Sequence, residues 1–333
     1  MADSPLPVVA AGGPKQETLE ATLGMSVRWD ILAFGAVAVD DLIYVDHHPL
    51  PGSKMPVCNR QRQGGGLAGT ALVAAARLGA KAAYCGVLGD DELSRFTRRE
   101  FEREGVDCTP IVYDPQARPI HSLVIVDLST RDRCILFSMA GVREPEPENI
   151  TPDLIANCRV LFVDHTVTET GPRAIELAHA QGIPVVGDIE AVRDPRVLDL
   201  VSQIDHLILG VQLAGRMTGE SEPAAMVRAL SGPDRACCVV TAGERGCWYS
   251  EHGGGVRHFA VFRVQVVDTT GCGDVFHGAY AACIARGESV STAIRVATAA
   301  AGIKATQQGG RRGIPDLAAV ERFLREHGND DLS

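Results

Sequence analysis

The residues best suited to chemistry lie in the run DTTGCGD, Asp268 to Asp274, directly before the small-residue, apolar stretch VFHGAYAACIA. The two glycines around Cys272 allow a tight backbone turn where a helix is predicted to begin. Unpaired amides at Gly271, Cys272 and Gly273, with the positive end of the helix dipole, would form an anion hole. The Asp274 carboxylate, in the same turn, is placed to accept a proton from an attacking hydroxyl. This arrangement predicts phosphoryl transfer, although a simple capped helix needs the same residues.

A second glycine-rich run, GGGLAG at residues 64–69, precedes the helical pattern TALVAAARLGA and has more than one interpretation. It satisfies the GxGxxG dinucleotide fingerprint, and Asp90 follows at roughly the distance of a ribose-binding acid. However, the preceding CNRQRQ is polar and alternating, whereas the first strand of a Rossmann unit is apolar because both of its faces are buried. The same glycines would also let backbone approach a sugar hydroxyl, or simply form a turn.

Acidic residues at predicted strand ends are further candidates. Asp40 follows the first strand, at the edge where open α/β sheets bind ligands, and its carboxylate suits adjacent hydroxyls of a polyol. Its neighbour Asp41 is expected to point to the opposite face. Asp188 and Glu190 alternate at another strand end, so both face one side and would hold water on Mg²⁺. The alternative interpretation of each of these acidic residues is a side chain that is simply exposed to solvent.

The elements that must position these residues alternate between apolar strands and helical periods, which predicts an open, mostly parallel α/β sheet. Two half-exposed segments, at about 40–63 and 118–141, are predicted to pair with each other as a small β lid. The run TAGERG at residues 241–246 brings backbone close to a ligand or forms a hairpin turn. We expect strands at 30–37, 82–88, 159–163, 184–188, 206–209 and 236–241, and helices at 68–78, 172–181, 224–230, 272–285, 290–306 and 316–326.

Composition predicts a globular protein without a membrane span or a nucleic-acid surface. The chain has 333 residues, 45% of them hydrophobic and 22% charged, and a formal net charge of -10. Its ten cysteines form no CxxC pair, so we expect free thiols, no zinc site and, without a secretory leader, a cytoplasmic location. One domain is expected at 29–328, with tails at 1–28 and 329–333.

Two of these segments, GGGLAGTALVAAARLGA and VVDTTGCGDVFHGAYAA, resemble the signature regions of the ribokinase-like (PfkB) carbohydrate kinases. The resemblance runs from about Trp29 to about Leu324, and GGRRGIPD makes the chain most similar to the ketohexokinase and sulfofructose kinase branch. It implies a three-layer, Rossmann-like α/β core with a β-sheet lid. It also implies ATP as phosphoryl donor, Mg²⁺, and a monovalent cation such as K⁺.

The resemblance further implies roles for matching residues. Asp274 is cast as the catalytic base, beside the anion hole of Gly271, Cys272 and Gly273. The implied substrate contacts are Asp40, Lys54, Gly65, Gly66, Thr70 and Arg133. The implied nucleotide contacts are Thr241, Gly243, Gly246 and Asp268, with the monovalent cation near Asp268.

The chain departs from the family pattern at three places. Thr70 stands where an asparagine is common, which replaces an amide with one hydroxyl. The family's NxxE motif falls on GVQL at residues 210–213, which leaves Asp188 and Glu190 as the metal candidates. His165 lies where a sulfonate-binding arginine is expected, so Lys54 alone suits that group.

The sequence therefore predicts an ATP-dependent kinase acting on a primary hydroxyl of a ketose-like sugar such as fructose or sulfofructose. The alternatives are a nucleoside kinase, an NAD-dependent oxidoreductase and a non-catalytic sugar-binding homologue. The exposed lid edge predicts a homodimer. Because a helix N-terminus favours thiolate, Cys272 is also predicted to be alkylated selectively.

Overall fold

The central sheet is the scaffold of the molecule. A computed structural model describes residues 27–130 and 132–327. Its eight-stranded sheet has the order β14-β13-β12-β11-β10-β9-β1-β4, parallel from β12 to β4, with β13 and β14 added antiparallel. The strands are β1 Trp29–Phe34, β4 Ala82–Tyr84, β9 Cys158–Asp164, β10 Val185–Ile189, β11 His206–Gly210, β12 Cys237–Thr241, β13 Cys247–Glu251 and β14 Arg257–Phe259.

Helices cover both faces of this sheet and make three layers. Successive side chains of β1 enter different apolar cores, with Ile31 and Ala33 in one and Leu32 and Phe34 in the other. The first core packs against α1 Leu67–Arg77, α2 Glu92–Arg103, α8 Cys272–Ala285, α9 Val290–Ala305 and α10 Leu317–His327. The second packs against α3 Pro152–Ala156, α4 Gly171–Ala180, α5 Arg196–Gln203, α6 Val211–Thr218 and α7 Pro223–Leu230.

The small residues of α8 allow it to cross α1 closely. A Cβ atom at Gly278 would overlap the backbone carbonyl of Ala71, so backbone lies against backbone at this point. The contact fixes the start of α8 relative to the start of α1. The two glycine-rich runs of the sequence are therefore held on one side of the sheet.

The two predicted lid segments do pair with each other. They form a four-stranded sheet of order β3-β2-β7-β8, in which β2 and β7 are parallel and the outer pairs are antiparallel. Its strands are β2 Ala38–Val45, β3 Asn59–Gly65, β7 Ile120–Asp127 and β8 Arg133–Ser138. Leu42, Tyr44 and Val124 form its small apolar core.

Some elements differ from the sequence expectation. The strand expected at 82–88 ends at Tyr84, and β5 Val87–Leu88 pairs instead with β6 Val112–Tyr113 in a separate two-stranded sheet. Helices α2, α3, α5 and α6 were not predicted. Of the two expected tails, residues 1–26 and 329–333 lie outside the described residues, as does residue 328. No helix within the described ranges has the length and apolarity needed to cross a bilayer.

Candidate active site

Helix α8 begins with the tight turn that the sequence predicts. Gly271 has φ 76°, and a Cβ atom there would lie 2.8 Å from the Gly310 carbonyl oxygen, so the position requires glycine. The Cys272 amide donates to the Thr269 carbonyl at 3.2 Å. The amides of Gly271, Gly273 and Asp274 donate to no acceptor in the parts of the chain that the structure describes. These three N–H groups are therefore free to donate to an anion, whereas the Cys272 N–H, predicted as a third member of the hole with Gly271 and Gly273, already has an intramolecular acceptor.

Asp274 lies in the first turn of α8, half-buried among other carboxylates. Burial raises the pKa of Asp274 well above its ordinary value, the charge of Glu190 adds to that rise, and the charge of Arg311 opposes it. Asp40 is close enough to contribute to the same effect. The predicted base and the predicted sugar ligand, 234 positions apart by their numbers, thus face one site.

Asp40 extends from the lid strand β2, where it pairs with Gln63 and Ser122 on the neighbouring strands. Burial raises the pKa of Asp40, while a hydrogen bond with Ser122 and the charge of Arg311 oppose that rise. A Cβ atom at Gly65 would overlap the Asp40 carboxylate, so the glycine makes room for it.

The neighbouring Asp41 faces away from the site, as expected from strand alternation. Its carboxylate accepts hydrogen bonds from Arg62 at 2.7 and 2.9 Å, and lies 2.8 Å from His121 Nε2. The hydrogen bonds from Arg62 lower the pKa of Asp41 to about 2. Asp41 is therefore an ionised surface residue and a natural control for Asp40.

Arg311 is a central residue of the site that the sequence analysis missed. Its buried guanidinium donates from Nη2 to the Gly65 carbonyl at 2.6 Å and from Nε to the Thr70 hydroxyl at 3.2 Å. Gly64 and Gly69 lack side chains where a Cβ atom would meet this guanidinium. Burial lowers the pKa of Arg311 to about 10, which leaves it charged at neutral pH. The only sequence signal was its place in GGRRGIPD.

The same contacts explain Thr70 and exclude the dinucleotide interpretation. The Thr70 hydroxyl is buried and accepts a hydrogen bond from Arg311, so its side chain helps to position the guanidinium. The strand before GGGLAG, β3, is antiparallel to β2 in the lid sheet. A dinucleotide fingerprint requires a strand of the parallel sheet at that point.

Asp164, at the end of β9, is a second residue that the sequence analysis missed. It is fully buried and accepts hydrogen bonds from the Ala36 amide at 2.6 Å, the Ala68 amide at 3.3 Å and the Thr166 amide at 2.8 Å. It therefore joins the entry to β2, the start of α1 and the end of β9. The sequence feature that indicates Asp164 is its place as the last residue of an apolar strand.

The predicted metal candidates lie beside Asp274. Asp188 is 1% exposed, and neither of its carboxylate oxygens has a hydrogen-bond partner within the described residues. Burial raises the pKa of Asp188 well above its ordinary value, and the charges of Glu190 and Asp274 add to this. Glu190, directly after β10, is exposed. No three His, Cys, Asp or Glu side chains in the described ranges lie close enough to hold a metal by themselves.

The predicted nucleotide contacts fall into two places. Thr241 ends β12, and Gly243 and Gly246 lie in the turn that leads into the antiparallel β13, so TAGERG does form a hairpin connection at the carboxyl edge of the sheet. Asp268 anchors the loop before α8. Its carboxylate accepts from the amides of Thr270 and Gly309, each at 2.8 Å, and its carbonyl accepts from Lys304 Nζ at 2.9 Å.

The two predicted lid cations are placed differently. Arg133 begins β8, and its charge acts on both Glu190 and Cys272, which places it near the anion hole. Lys54 is exposed in the connection between β2 and β3. His165 Nδ1 accepts from the Glu190 amide at 3.4 Å.

The prediction of a reactive thiolate at Cys272 is wrong. Burial raises the pKa of Cys272 to about 11, and the thiol lies 3.6 Å from the Ala301 carbonyl. Desolvation therefore outweighs the helix N-terminus. All ten cysteines are free thiols, and Cys58 is exposed.

Comparisons with known proteins agree with this fold and identify the family. The family model described as "pfkB family carbohydrate kinase" matches residues 29–317. A ribokinase of Haemophilus influenzae is 29% identical, covering 90% of this chain and 100% of its own length. A 2-dehydro-3-deoxygalactonokinase of Haloferax volcanii is 28% identical, covering 76% of this chain and 85% of its own.

Solved structures show the same architecture. A protein of Agrobacterium tumefaciens superposes with a TM-score of 0.84 at 28% identity, covering 90% of this chain and 98% of that one. An E. coli structure, a complex with ATP and Mg²⁺, has a TM-score of 0.75 at 18% identity, covering 90% of this chain and 100% of that one. The chain therefore has the ribokinase-like fold and belongs to the pfkB family of carbohydrate kinases, as a kinase of a sugar or sugar derivative.

Proposed function

We propose that this protein transfers the γ-phosphate of ATP to a primary hydroxyl of a ketose-like sugar or sugar derivative. The observation that carries the proposal is the buried Arg311, whose guanidinium donates to the Gly65 carbonyl beside Asp40 and whose charge acts on both the Asp40 and the Asp274 carboxylates. The carboxylate that would bind the sugar, Asp40, and the carboxylate that would accept its proton, Asp274, therefore belong to one site, next to the unpaired amides of α8. Phosphoryl transfer needs this combination of positioning and charge stabilisation.

Each residue has a defined part in the proposed reaction. Asp40 accepts hydrogen bonds from adjacent sugar hydroxyls and so orients the hydroxyl that reacts. Asp274 takes the proton from that hydroxyl as the oxygen attacks the γ-phosphorus. The amides of Gly271, Gly273 and Asp274 stabilise negative charge on the phosphoryl oxygens, and Arg133 of the lid adds a permanent positive charge there.

The residues beside Asp274 fit Mg²⁺ bound mainly through the nucleotide. Mg²⁺ keeps several waters and is held by one or two carboxylates together with substrate phosphates, so a full set of protein ligands is not required. The buried Asp188 oxygens have no hydrogen-bond partner among the described residues, His277 Nε2 lies 3.4 Å from one of them, and the charge of the exposed Glu190 acts on Asp188. We assign Glu190 to the metal's water shell, with Asp188 behind it. Bound Mg²⁺ would supply neutralisation of the charge on the phosphates.

A ligand panel tests the reaction class. Thermal-shift measurements with ATP and NAD, then with ketoses, aldoses, 2-dehydro-3-deoxy sugar acids, sulfosugars and nucleosides, are followed by ADP-release assays on every hit. ADP release with a ketose-like sugar supports the proposal. Turnover of nucleosides alone, stabilisation by NAD but not ATP, or sugar binding without ADP release would each reject it in favour of the corresponding alternative.

Paired variants test the residue roles. Asp274→Asn is expected to keep sugar binding and lose about 10²–10⁴ in turnover, because a positioned base contributes that factor. Asp40→Asn is expected to weaken sugar binding, while Asp41→Asn, its outward-facing neighbour, leaves binding unchanged. Wild-type turnover in Asp274→Asn, or equal binding losses in the other two, contradicts the assignments.

We also propose that the protein is a cytoplasmic homodimer formed through the lid. Among the described residues β8 is an edge strand of the lid sheet, paired only with β7. Its consecutive residues Ile135, Leu136 and Phe137 are 48%, 53% and 48% exposed, so apolar side chains project from both faces. Ten free thiols suit a reducing compartment. Light scattering should show a dimer that Leu136→Lys dissociates. A wild-type monomer would refute this assembly.

A further inference from the structure

Lys304 is a buried lysine, and its burial is not explained by a contribution to the stability of the fold. It lies in the last turn of α9 with 0% exposure, and its ammonium donates to the backbone carbonyl of Asp268 at 2.9 Å. No carboxylate lies within ion-pair distance of it in the described ranges. Burying an ammonium group against a carbonyl alone is unfavourable compared with leaving it in water. A role at this particular place would account for it.

The place is the underside of the anion-hole loop. Asp268 begins DTTGCGD, and its carboxylate ties this loop to the Gly309 amide. The amides of Val267 and Asp268 also donate to the Ala305 carbonyl, at 2.8 and 3.1 Å. The charge of Lys304 acts on Cys272 and Asp274 across this short distance. Burial lowers the pKa of Lys304, and the charges of Cys272, Asp268 and Asp274 oppose this; the ammonium is thus tied to the loop whose amides would receive the phosphoryl group.

The resemblance to PfkB kinases implies a dissociable monovalent cation near Asp268. The residues present do not fit such an ion, because the Asp268 carbonyl already serves a charged group. We propose that the Lys304 ammonium is a tethered cation that replaces the dissociable one, holds residues 268–274 in their active conformation and makes catalysis independent of K⁺. Lys304 is thus a positioning residue, and the inference rests on the proposed kinase function.

The test compares cation dependence in matched variants. Wild type, Lys304→Ala, Lys304→Met and Lys81→Ala are assayed for ADP release in K⁺, Na⁺, NH₄⁺ or tetramethylammonium chloride at equal ionic strength. Lys81 is an exposed lysine before β4 and serves as the control. Lys304→Met preserves apolar packing if the alanine variant does not fold. Melting temperatures are measured in the same salts, which requires no turnover.

We expect wild type and Lys81→Ala to turn over equally in all four salts. The Lys304 variants should lose about 10- to 100-fold in kcat without K⁺, as for removal of a charge-assisted hydrogen bond, with K⁺ or NH₄⁺ restoring part of it. K⁺ should also raise their melting temperatures but not that of wild type. Activation of wild type by K⁺, or folded Lys304 variants that no cation rescues or that keep full activity, would overturn the proposal. If no sugar is phosphorylated, the proposed function fails, while the cation-specific melting shifts still decide this inference.

Discussion

Replacing Arg311 with methionine should move the pH dependence of catalysis. Burial raises the pKa of Asp40 and Asp274, and the Arg311 charge opposes that rise at both. A base must be ionised to accept a proton, so kcat/KM rises with pH through the pKa of Asp274. Removing the guanidinium removes the opposing charge. The acid limb of the kcat/KM profile of Arg311→Met should therefore lie at higher pH than in wild type.

The burial of the guanidinium sets the size of this shift. An opposite charge within about 4–6 Å lowers a carboxyl pKa by about 1–3 units, and Arg311 is 7% exposed, so solvent and salt screen it weakly. We therefore expect the acid limb to move up by about 1–3 pH units. The variant also loses the hydrogen bonds to Gly65 and Thr70, each worth about 1.5–3 kcal/mol because the donor is charged. It should melt at a lower temperature.

Two further variants separate charge from structure. Arg311→Lys keeps the charge and loses the planar fork, so its acid limb should move less while its stability still falls. Arg312→Met removes an exposed arginine next in sequence and should leave the profile unchanged. The assay is kcat/KM against pH by coupled ADP release, on proteins whose folding is checked by thermal unfolding. An acid limb that does not move in a folded, active Arg311→Met refutes the coupling of Arg311 to the base.

Three other changes test the packing and the thiols. Gly278→Ala should lower the free energy of unfolding by about 1–3 kcal/mol, because the added methyl group overlaps α1. Gly302→Ala is the control and should not lower it, because the nearest atom to a Cβ there is 3.9 Å away. Equal denaturation midpoints for the two variants would contradict the close crossing of α8 and α1. Thr70→Val should cost about 1–3 kcal/mol in urea unfolding, because a buried guanidinium N–H loses its acceptor; an unchanged midpoint would show that the hydroxyl is not needed. The exposed Cys58 should be alkylated before Cys272 near neutral pH, because burial keeps Cys272 in its thiol form. Peptide mass spectrometry measures the order of labelling, and the reverse order would restore the thiolate hypothesis.

The sequence predicts the elements whose own pattern is strong. Helix α8 begins and ends where its small-residue run does, and the parallel strands β9 to β12 lie within a residue or two of the apolar runs that predict them. The failures occur where tertiary contacts decide. The apolar run 82–88 is divided between two sheets, with β5 pairing to β6 instead of extending β4. α2 is rich in charge and becomes recognisable mainly through its cap, where Asp91 accepts from the Ser94 amide at 2.8 Å.

The site is predictable to the extent that its chemistry is local. Asp274 and the turn before it are read from one short run, because a helix N-terminus has the same donors in any fold. Arg311 and Thr70 are 241 positions apart, so their hydrogen bond has no local signature. The thiolate expectation fails for a related reason. The helix dipole at Cys272 is visible in sequence, but the burial that overcomes it depends on the packing of α9.

The glycines of GGGLAG show why one fingerprint serves unrelated sites. In a dinucleotide fold, glycines of this spacing clear space for a pyrophosphate. Here Gly64 and Gly69 clear space for the Arg311 guanidinium, and Gly65 clears it for the Asp40 carboxylate, both supplied by the chain itself. The pattern records only that something lies against the backbone. What lies there is decided by distant residues, and in this protein the Arg311 guanidinium joins the Gly65 carbonyl to the Thr70 hydroxyl in the first turns of α1.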